Sequence, residues 1–208
     1  RVARLMRQHG IHSRRRPKRR LRTTDSRHNR PVAPNLLKRD FSADAPNEKW
    51  VGDIVGIWTD EGWLYLAALL DTYSRLIVGW AMSIYRDEAL VEAALRMALV
   101  RRELPQAADL IQHTDRGSQY TADDYLALLK AHAIQVSMSD KGDPYDNAMM
   151  ESFFSTLRAE LTDLERFATR QAARTAVFEF IEVFYNRQRL HSSLGYRSPV
   201  TFETAHLS

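Results

Sequence analysis

The stretch WVGDIVGIWTDEGWLYLAALLDTYSRLIVGWAMS (50–83) contains three short apolar runs separated by turn sequences. The runs 50–59, 63–70 and 75–83 are rich in aromatic and β-branched residues and have the length of strands. The sequence Asp60-Glu61-Gly62 can form the first hairpin, and residues 71–74 can form the second turn. Because apolar residues occupy both faces of the first run, we predict a central strand there. This stretch therefore predicts a three-stranded meander.

Helical and strand patterns alternate after residue 83. Helices are predicted over 86–103, 122–132, 146–162 and 169–186, and strands over 108–113 and 134–139. Asp146 is the expected N-cap of the helix that follows the Gly/Pro loop, and residues 186–199 are expected to form a basic loop. A meander followed by alternating helices and strands predicts an α/β fold, with a mixed five-stranded sheet flanked by helices.

The basic residues are concentrated at the front of the chain. Residues 1–40 carry 14 Lys/Arg and two Asp/Glu, although the net charge of all 208 residues is only +4. We predict a short helix at 2–10 and a basic linker within 1–46, followed by a core with a basic tail at 47–208. The linker suits phosphate contact, although a solvated charge run is the alternative. The expected contact residues are Arg14, Arg15, Arg16, Lys18, Arg19 and Arg20.

Composition excludes several kinds of site. The chain has no cysteine, which excludes disulfides and zinc sites built on thiolates. The apolar runs are too short to span a membrane, so no membrane partner is expected. The first residue is Arg rather than Met, and we therefore expect a piece of a longer polypeptide.

Three acidic residues stand in distinctive local contexts. Asp53 lies inside an apolar strand, where a carboxylate needs a cation or a partner, and Asp115 follows a strand and precedes Gly117. Glu151 lies on the predicted helix 146–162, beside its apolar stripe. Three carboxylates brought together can hold two divalent cations and promote phosphodiester chemistry. Taken singly, each has an ordinary alternative: an ion pair, a turn, or solvated helix surface.

Several other residues are weaker functional candidates. Arg158, two turns after Glu151, could reach a phosphate from the same helix face. His113 is expected to be structural and Asp71 to form a turn. Tyr145 and Asn147 could contact DNA, but they could equally stabilise the loop and the start of the helix. The remaining weak candidates for DNA contact are Arg187, Arg189 and His191.

Three longer blocks resemble the transposase encoded by the downstream frame of bacterial insertion sequences, a type related to retroviral integrases. The blocks are HTDRGSQYTADDY (113–125), DKGDPYDNAMMESFFSTLRAE (140–160) and YNRQRLHSSLGYRSPVTFE (185–203). With the blocks at 50–58 and 64–82, the resemblance covers residues 45–203. One position departs from the usual pattern, because Val55 stands where the first block more often has Thr.

The resemblance implies an RNase H-like fold and a DDE triad for catalysis and metal binding. The triad would be Asp53, Asp115 and Glu151 with two Mg²⁺ ions, for which Mn²⁺ could substitute, and Arg158 would contact terminal DNA. It also implies that residues 2–10 end a helix-turn-helix region.

The function implied is metal-dependent strand cleavage and strand transfer at insertion-sequence ends. The partners would be terminal inverted repeats, target DNA, further copies of the chain on DNA, and possibly a fused upstream frame. The location would be the bacterial cytoplasm, associated with the nucleoid. Two alternatives stay open: an RNase H-like nuclease that only hydrolyses, and an inactive DNA-binding remnant or regulator of a mobile element.

Overall fold

A mixed sheet forms the centre of the protein. The computed structural model describes residues 2–10, 32–104, 109–140 and 144–205. Strands β1 (Lys49–Thr59), β2 (Gly62–Asp71) and β3 (Ile77–Ser83) form an antiparallel meander. Strands β4 (Ile111–Thr114) and β5 (Gln135–Met138) run parallel to β1, which gives the order β3-β2-β1-β4-β5. The predicted α/β fold with a mixed five-stranded sheet is therefore confirmed.

Helices flank the sheet and also lie at both ends of the described chain. They are α1 (Val2–Gln8), α2 (Glu88–Arg102), α3 (Asp123–Ala131), α4 (Ala148–Leu157), α5 (Arg170–Glu179) and α6 (Pro199–Thr204). Helices α4 and α5 continue into π-helical segments at Arg158–Thr162 and Phe180–Tyr185. None of the helices in the described ranges combines the length and apolar character that crossing a membrane requires.

Each face of the sheet carries its own apolar core. One core lies between the sheet and the pair α4 and α5, and it includes Val51, Ile57, Leu64, Leu66, Phe153, Leu157, Val177 and Ile181. The other lies beneath α2 and α3, and it includes Trp50, Ile54, Leu69, Leu90, Leu95, Tyr125 and Leu129. Because β1 contributes to both cores, it is the central covered strand that its sequence predicts.

Close packing at Gly79 fixes α2 against β3. A Cβ atom at this position would lie 2.3 Å from the carbonyl oxygen of Ala94 and 2.7 Å from the nitrogen of Ala98. Only glycine allows the helix to approach the strand this closely. Arg86 and Asp87 lie in the short connection between β3 and α2, and Asp87 is the N-cap of the helix.

The basic-loop prediction for residues 186–199 is wrong in part. Asn186 is buried and its carboxamide bonds both backbone groups of Ile77, accepting from the nitrogen at 3.0 Å and donating to the oxygen at 3.1 Å. A short 3₁₀ helix occupies Ser192–Leu194, and α6 begins directly after its N-cap, Ser198. The segment is therefore ordered by contacts with the sheet and by its own capping groups.

The expected N-cap role of Asp146 is also wrong. Residues Pro144–Asn147 form a 3₁₀ turn, and Asn147 rather than Asp146 stands at the N-cap position of α4. The carboxylate of Asp146 instead accepts hydrogen bonds from Asn35 and from the backbone of Asp140. Asn35, which is distant in sequence, and the nearby backbone of Asp140 thus take the carboxylate away from the local cap.

Candidate active site

The strand register places Asp53 beside Asp115. β1 and β4 pair in parallel through Trp50 with Gln112 and Val51 with His113. Asp53 and Asp115 each lie two residues beyond the last of these pairs, on the same side of their strands as Val51 and His113. Adjacent strands lie about 4.8 Å apart, so the register brings the two carboxyl groups together at the end of β4.

The carboxyl group of Asp53 is half-buried and charged neighbours perturb it. Its Oδ1 accepts a hydrogen bond of 2.7 Å from the backbone nitrogen of Ile54. The pKa of Asp53 is raised to about 7, chiefly by burial and then by the negative charges of Asp115 and, more weakly, Glu151. The cation of Arg86 acts in the opposite direction. The pKa of Asp53 therefore responds to the charges of both other acids.

A tight turn orients Asp115. Its Oδ1 accepts a hydrogen bond of 2.9 Å from the backbone nitrogen of Gly117. A Cβ atom on Gly117 would stand 2.9 Å from that same oxygen and 2.7 Å from Oε1 of Gln119, so a larger residue would push the carboxylate away. The Gly that follows the strand end in the sequence thus has a direct structural role.

The start of α4 is attached to β1 next to Asp53. Asn147 is buried, and its Nδ2 donates to the carbonyl oxygen of Gly52 at 3.4 Å. Glu151 lies four residues later, one turn into the helix, and is exposed. The predicted apolar stripe of α4 is buried as expected, which leaves Glu151 at its rim; it consists of Met150, Phe153, Phe154, Leu157 and Leu161.

The three carboxylates form an oxygen donor set of the kind that Mg²⁺ and Mn²⁺ prefer. Burial and then the negative charge of Asp115 raise the pKa of Asp53, and a bound cation would neutralise the charge gathered here, so the residues fit a divalent ion. Within the described ranges, however, no three His, Cys, Asp or Glu side chains stand close enough to form a metal-binding group. Glu151 would need to approach the two aspartates for all three to share a cation.

Two overlapping family models match most of the chain. A model described as "Integrase core domain" matches residues 43–144, and a second model with the same description matches residues 132–199. The chain belongs to the integrase core family. All three acidic residues lie within the region that the two models cover.

This integrase core is similar to proteins of bacterial insertion sequences. It is 50% identical over 181 residues to the transposase InsF of insertion sequence IS3A from Escherichia coli strain K12, which covers 87% of this chain and 62% of InsF. It is 49% identical over 180 residues to the uncharacterized 31 kDa protein of insertion element IS600 from Shigella sonnei, covering 86% and 65% of the two chains. The chain thus spans less than two thirds of the length of these relatives.

Retroviral integrase structures have the same fold. A chain of the simian T-cell lymphotropic virus intasome, in complex with PP2A regulatory subunit B56 gamma, matches with a TM-score of 0.63 at 16% identity, covering 88% of this chain and 61% of that one. The HTLV-2 integrase catalytic core domain in complex with magnesium matches with a TM-score of 0.57 at 14% identity, covering 78% and 99%. These similarities establish the RNase H-like fold.

The other predicted site residues of this integrase core are spread over several elements. Arg158 is exposed where α4 passes into its π-helical segment, and Arg187 is exposed after α5, whereas Arg189 is half-buried. The side chain of Tyr145 lies outside the described part of the structure. So do the six basic residues of the linker, here called the basic arm: Arg14, Arg15, Arg16, Lys18, Arg19 and Arg20. The burial of Asn147 supports the alternative reading, in which it stabilises the helix start.

His113 occupies a structural position in the integrase core. It is buried, and its Nδ1 lies 2.8 Å from the hydroxyl of Ser137. Burial lowers the pKa of His113, although the nearby charges of Asp146 and Asp140 oppose this shift. His113 is therefore neutral at pH 7 and holds β4 to β5.

Two residues near the site could not be found from local sequence. Arg86 follows β3 and acts electrostatically on Asp53, although it is far from it in sequence. Tyr120 is buried, and burial together with the charges of Asp53 and Asp115 raises its pKa. Only the folding of the meander and of the loop after β4 brings these two residues to the site.

Proposed function

We propose that this chain is the catalytic part of an insertion-sequence transposase, which cleaves DNA strands at element ends and joins them to target DNA. The observation that carries the proposal is the placement of Asp53 beside Asp115 in an integrase core, with the charge of Glu151 acting on the same carboxyl group. The similarity to InsF, which is named a transposase, supports this choice over a nuclease that only hydrolyses.

We further propose that Asp53, Asp115 and Glu151 hold two divalent cations, Mg²⁺ or Mn²⁺ in its place. The magnesium complex of the HTLV-2 integrase core supports this choice of metal. Such a pair of ions, when bound, activates the attacking oxygen and stabilises the leaving oxygen of a phosphodiester. The backbone of Ile54 orients Asp53, the backbone of Gly117 orients Asp115, and the placement of α4 orients Glu151.

The proposed reaction is a phosphodiester exchange without a covalent protein intermediate. In cleavage, the oxygen of water bonds to phosphorus and a proton of water leaves to solvent. The bond from phosphorus to the 3′-oxygen breaks, and that oxygen takes up a proton from solvent to become a 3′-hydroxyl. In strand transfer, a DNA 3′-hydroxyl takes the place of water. Both nucleophiles come from outside the protein, so the chain has only to place the carboxylates and the DNA.

Basic residues outside the triad would place the DNA. Arg158 is exposed on the same helix as Glu151 and two turns beyond it, which suits contact with a phosphate near the cleaved bond. Arg187, Arg189 and the basic arm would add contacts whose strength falls with salt. Several copies of the chain would assemble on the element ends, and fusion to an upstream frame is part of the proposal.

The test uses duplex oligonucleotides that carry the inverted repeats flanking the gene, with Mg²⁺ and a supercoiled target plasmid. The wild-type chain should nick the repeat and join its 3′ end to the plasmid. Each of the variants Asp53→Asn, Asp115→Asn and Glu151→Gln should abolish both products, because each removes one of three shared metal ligands. The dissociation constant for DNA should stay within about twofold, because the basic residues that contact phosphate are unchanged. Asp124→Asn, on the exposed first turn of α3, is the matched control and should be fully active.

The products also separate the alternatives. Nicking without joined strands would identify a hydrolytic nuclease. Binding to the repeats without any Mg²⁺-dependent product would identify an inactive remnant or regulator. Full cleavage by any one of the three variants would remove that residue from the triad.

A further inference from the structure

The segment that leads from the basic arm into the core packs along the outer strand of the sheet. Leu37 is buried in the core on the α4 and α5 face. The backbone nitrogen of Leu36 donates to Oγ of Ser137 at 2.9 Å, and the nitrogen of Met138 donates to the oxygen of Pro34 at 3.3 Å. Residues 34–37 therefore cover β5 on the side away from β4.

The side chain of Asn35 reaches from this segment to the connection between β5 and α4. Its Nδ2 donates to Oδ2 of Asp146 at 3.0 Å and to Oδ2 of Asp140 at 3.3 Å. Its own Oδ1 accepts from the backbone nitrogen of Lys38 at 2.9 Å, which fixes the orientation of the carboxamide. Asn35 thus bridges the two ends of the connection.

Asp146 is the buried acceptor in this arrangement. Its side chain is 2% exposed, so its charge has little access to water. Besides Asn35, it accepts from the backbone nitrogen of Asp140 at 2.8 Å, and the guanidinium of Arg39 lies 3.8 Å from its Oδ1. A buried carboxylate that loses a donor must move toward water or stay under-bonded, and both outcomes disturb its backbone.

The backbone of Asp146 leads directly into the candidate active site. The next residue, Asn147, is bonded to the carbonyl of Gly52 beside Asp53, and Glu151 follows one turn later. Because Glu151 is exposed, its position depends on where α4 begins rather than on tight packing around its side chain. Asp146 thus adjoins the first turn of α4, which is the turn that carries Glu151.

We infer that Asn35 is a positioning residue for Glu151: by holding Asp146 and Asp140 together, it fixes the start of α4 and makes the segment behind the basic arm part of the active-site framework. This inference rests on the proposed function, since it assigns Asn35 a role in the reaction. The hydrogen bonds of the Asn35 side chain go to Asp140, Asp146 and Lys38 rather than to the carboxylates of the triad.

The experiment compares Asn35→Ala with Lys38→Ala in the full chain. Lys38 contributes only a backbone group to this arrangement and its side chain is exposed, so its substitution controls for a local change in the same segment. Amide hydrogen exchange of the metal-free proteins reports the order of α4 without any dependence on catalysis. Single-turnover cleavage at saturating DNA, together with the dissociation constant for DNA, reports the effect on the reaction.

For Asn35→Ala we expect faster exchange confined to residues 146–151, with exchange in α2 unchanged. The single-turnover rate should fall about tenfold, which corresponds to the loss of about one hydrogen bond to a carboxylate, while the dissociation constant is unchanged. Lys38→Ala should match the wild type in all three measurements. This pattern distinguishes positioning from a general loss of stability, which would speed exchange in α2 as well.

Unchanged exchange at 146–151 in Asn35→Ala would overturn the inference, and so would a wild-type cleavage rate in that variant. If the wild-type chain itself gives no Mg²⁺-dependent product, the proposed function fails, and the role of Asn35 in catalysis fails with it. An active wild type together with an equally active Asn35→Ala would overturn this inference and leave the proposed function standing.

Discussion

Replacing Asp53 with Asn should stabilise the metal-free protein at neutral pH. The substitution keeps the size of the side chain and the oxygen that accepts from the Ile54 nitrogen, and it removes the carboxyl whose pKa is raised from 3.8 to about 7. The folded state holds the proton of Asp53 more tightly than the unfolded state does. This group's contribution to stability is therefore fully favourable below pH 3.8, and it is lost as the pH rises from 3.8 through about 7.

The size of the gain follows from the same shift. Roughly three pKa units at about 1.4 kcal/mol each set an upper value of about 4 kcal/mol at pH 8. Asp53 is half-buried and water screens part of the penalty, so we expect a gain of about 2 to 4 kcal/mol in the free energy of unfolding. At pH 5, where wild-type Asp53 keeps its proton in the folded state, the gain should fall by more than half.

Urea unfolding in EDTA, followed by circular dichroism at pH 8 and pH 5, measures this gain. Asp44→Asn, at an exposed position, is the control and should change stability little at either pH. Adding Mg²⁺ should stabilise the wild type and not Asp53→Asn, because only the folded wild type binds the ion. A variant no more stable than the wild type at pH 8, or a gain equal at both pH values, would refute the reasoning.

Two further substitutions test the framework around the site by urea unfolding. Gly79→Ala places a Cβ atom 2.3 Å from the Ala94 oxygen and should lower the free energy of unfolding by about 1–3 kcal/mol or more. The control Gly56→Ala, whose Cβ would meet the Trp63 ring at 3.0 Å, should lower it less. An equal or smaller loss of stability at Gly79 would contradict the close approach of α2. Arg102→Ala removes the guanidinium that lies 2.9 Å from the fully buried carboxylate of Asp71, and should lower the free energy of unfolding by about 3–5 kcal/mol. A loss below about 1 kcal/mol would show that Asp71 is satisfied by its backbone donors alone.

The sequence predicts the sheet well because the strand signals are local. The apolar runs of the meander and their turn residues mark β1, β2 and β3 within two residues of their observed ends. Asp53 and Asp115 can also be recognised as candidate site residues from the sequence, since one interrupts an apolar strand and the other follows one. The register that aligns them is visible only in the folded sheet.

Long-range hydrogen bonds explain what the sequence could not predict. Asp146 has the residue type and position of a helix cap, but Asn35, more than a hundred residues away, is its partner. Asn186 bonds to Ile77 across a similar separation. The start of α6 has a local signal in the sequence, since Ser198 before Pro199 is typical of a helix start, but the basic composition of residues 186–199 favours a loop.

Asp71 forms the predicted turn and also a long-range ion pair that its local sequence does not indicate. The carboxylate does form the expected turn by accepting from the Tyr73 nitrogen at 3.0 Å. It also pairs with Arg102, which in turn contacts Glu203 of α6 and so connects the end of the chain to the sheet. Burial raises the pKa of Asp71 to about 6, with the cation and the backbone donors opposing that shift.

A crystal structure grown with Mn²⁺ tests most directly whether the three acids share a metal site. We predict anomalous density between Asp53 and Asp115, with the Glu151 carboxylate drawn in from its exposed position to ligate the same ions. Full loss of that density in Asp115→Asn crystals would support the assignment. Manganese bound elsewhere, or a Glu151 side chain that stays in solvent while the ions occupy the two aspartates, would contradict the proposed triad.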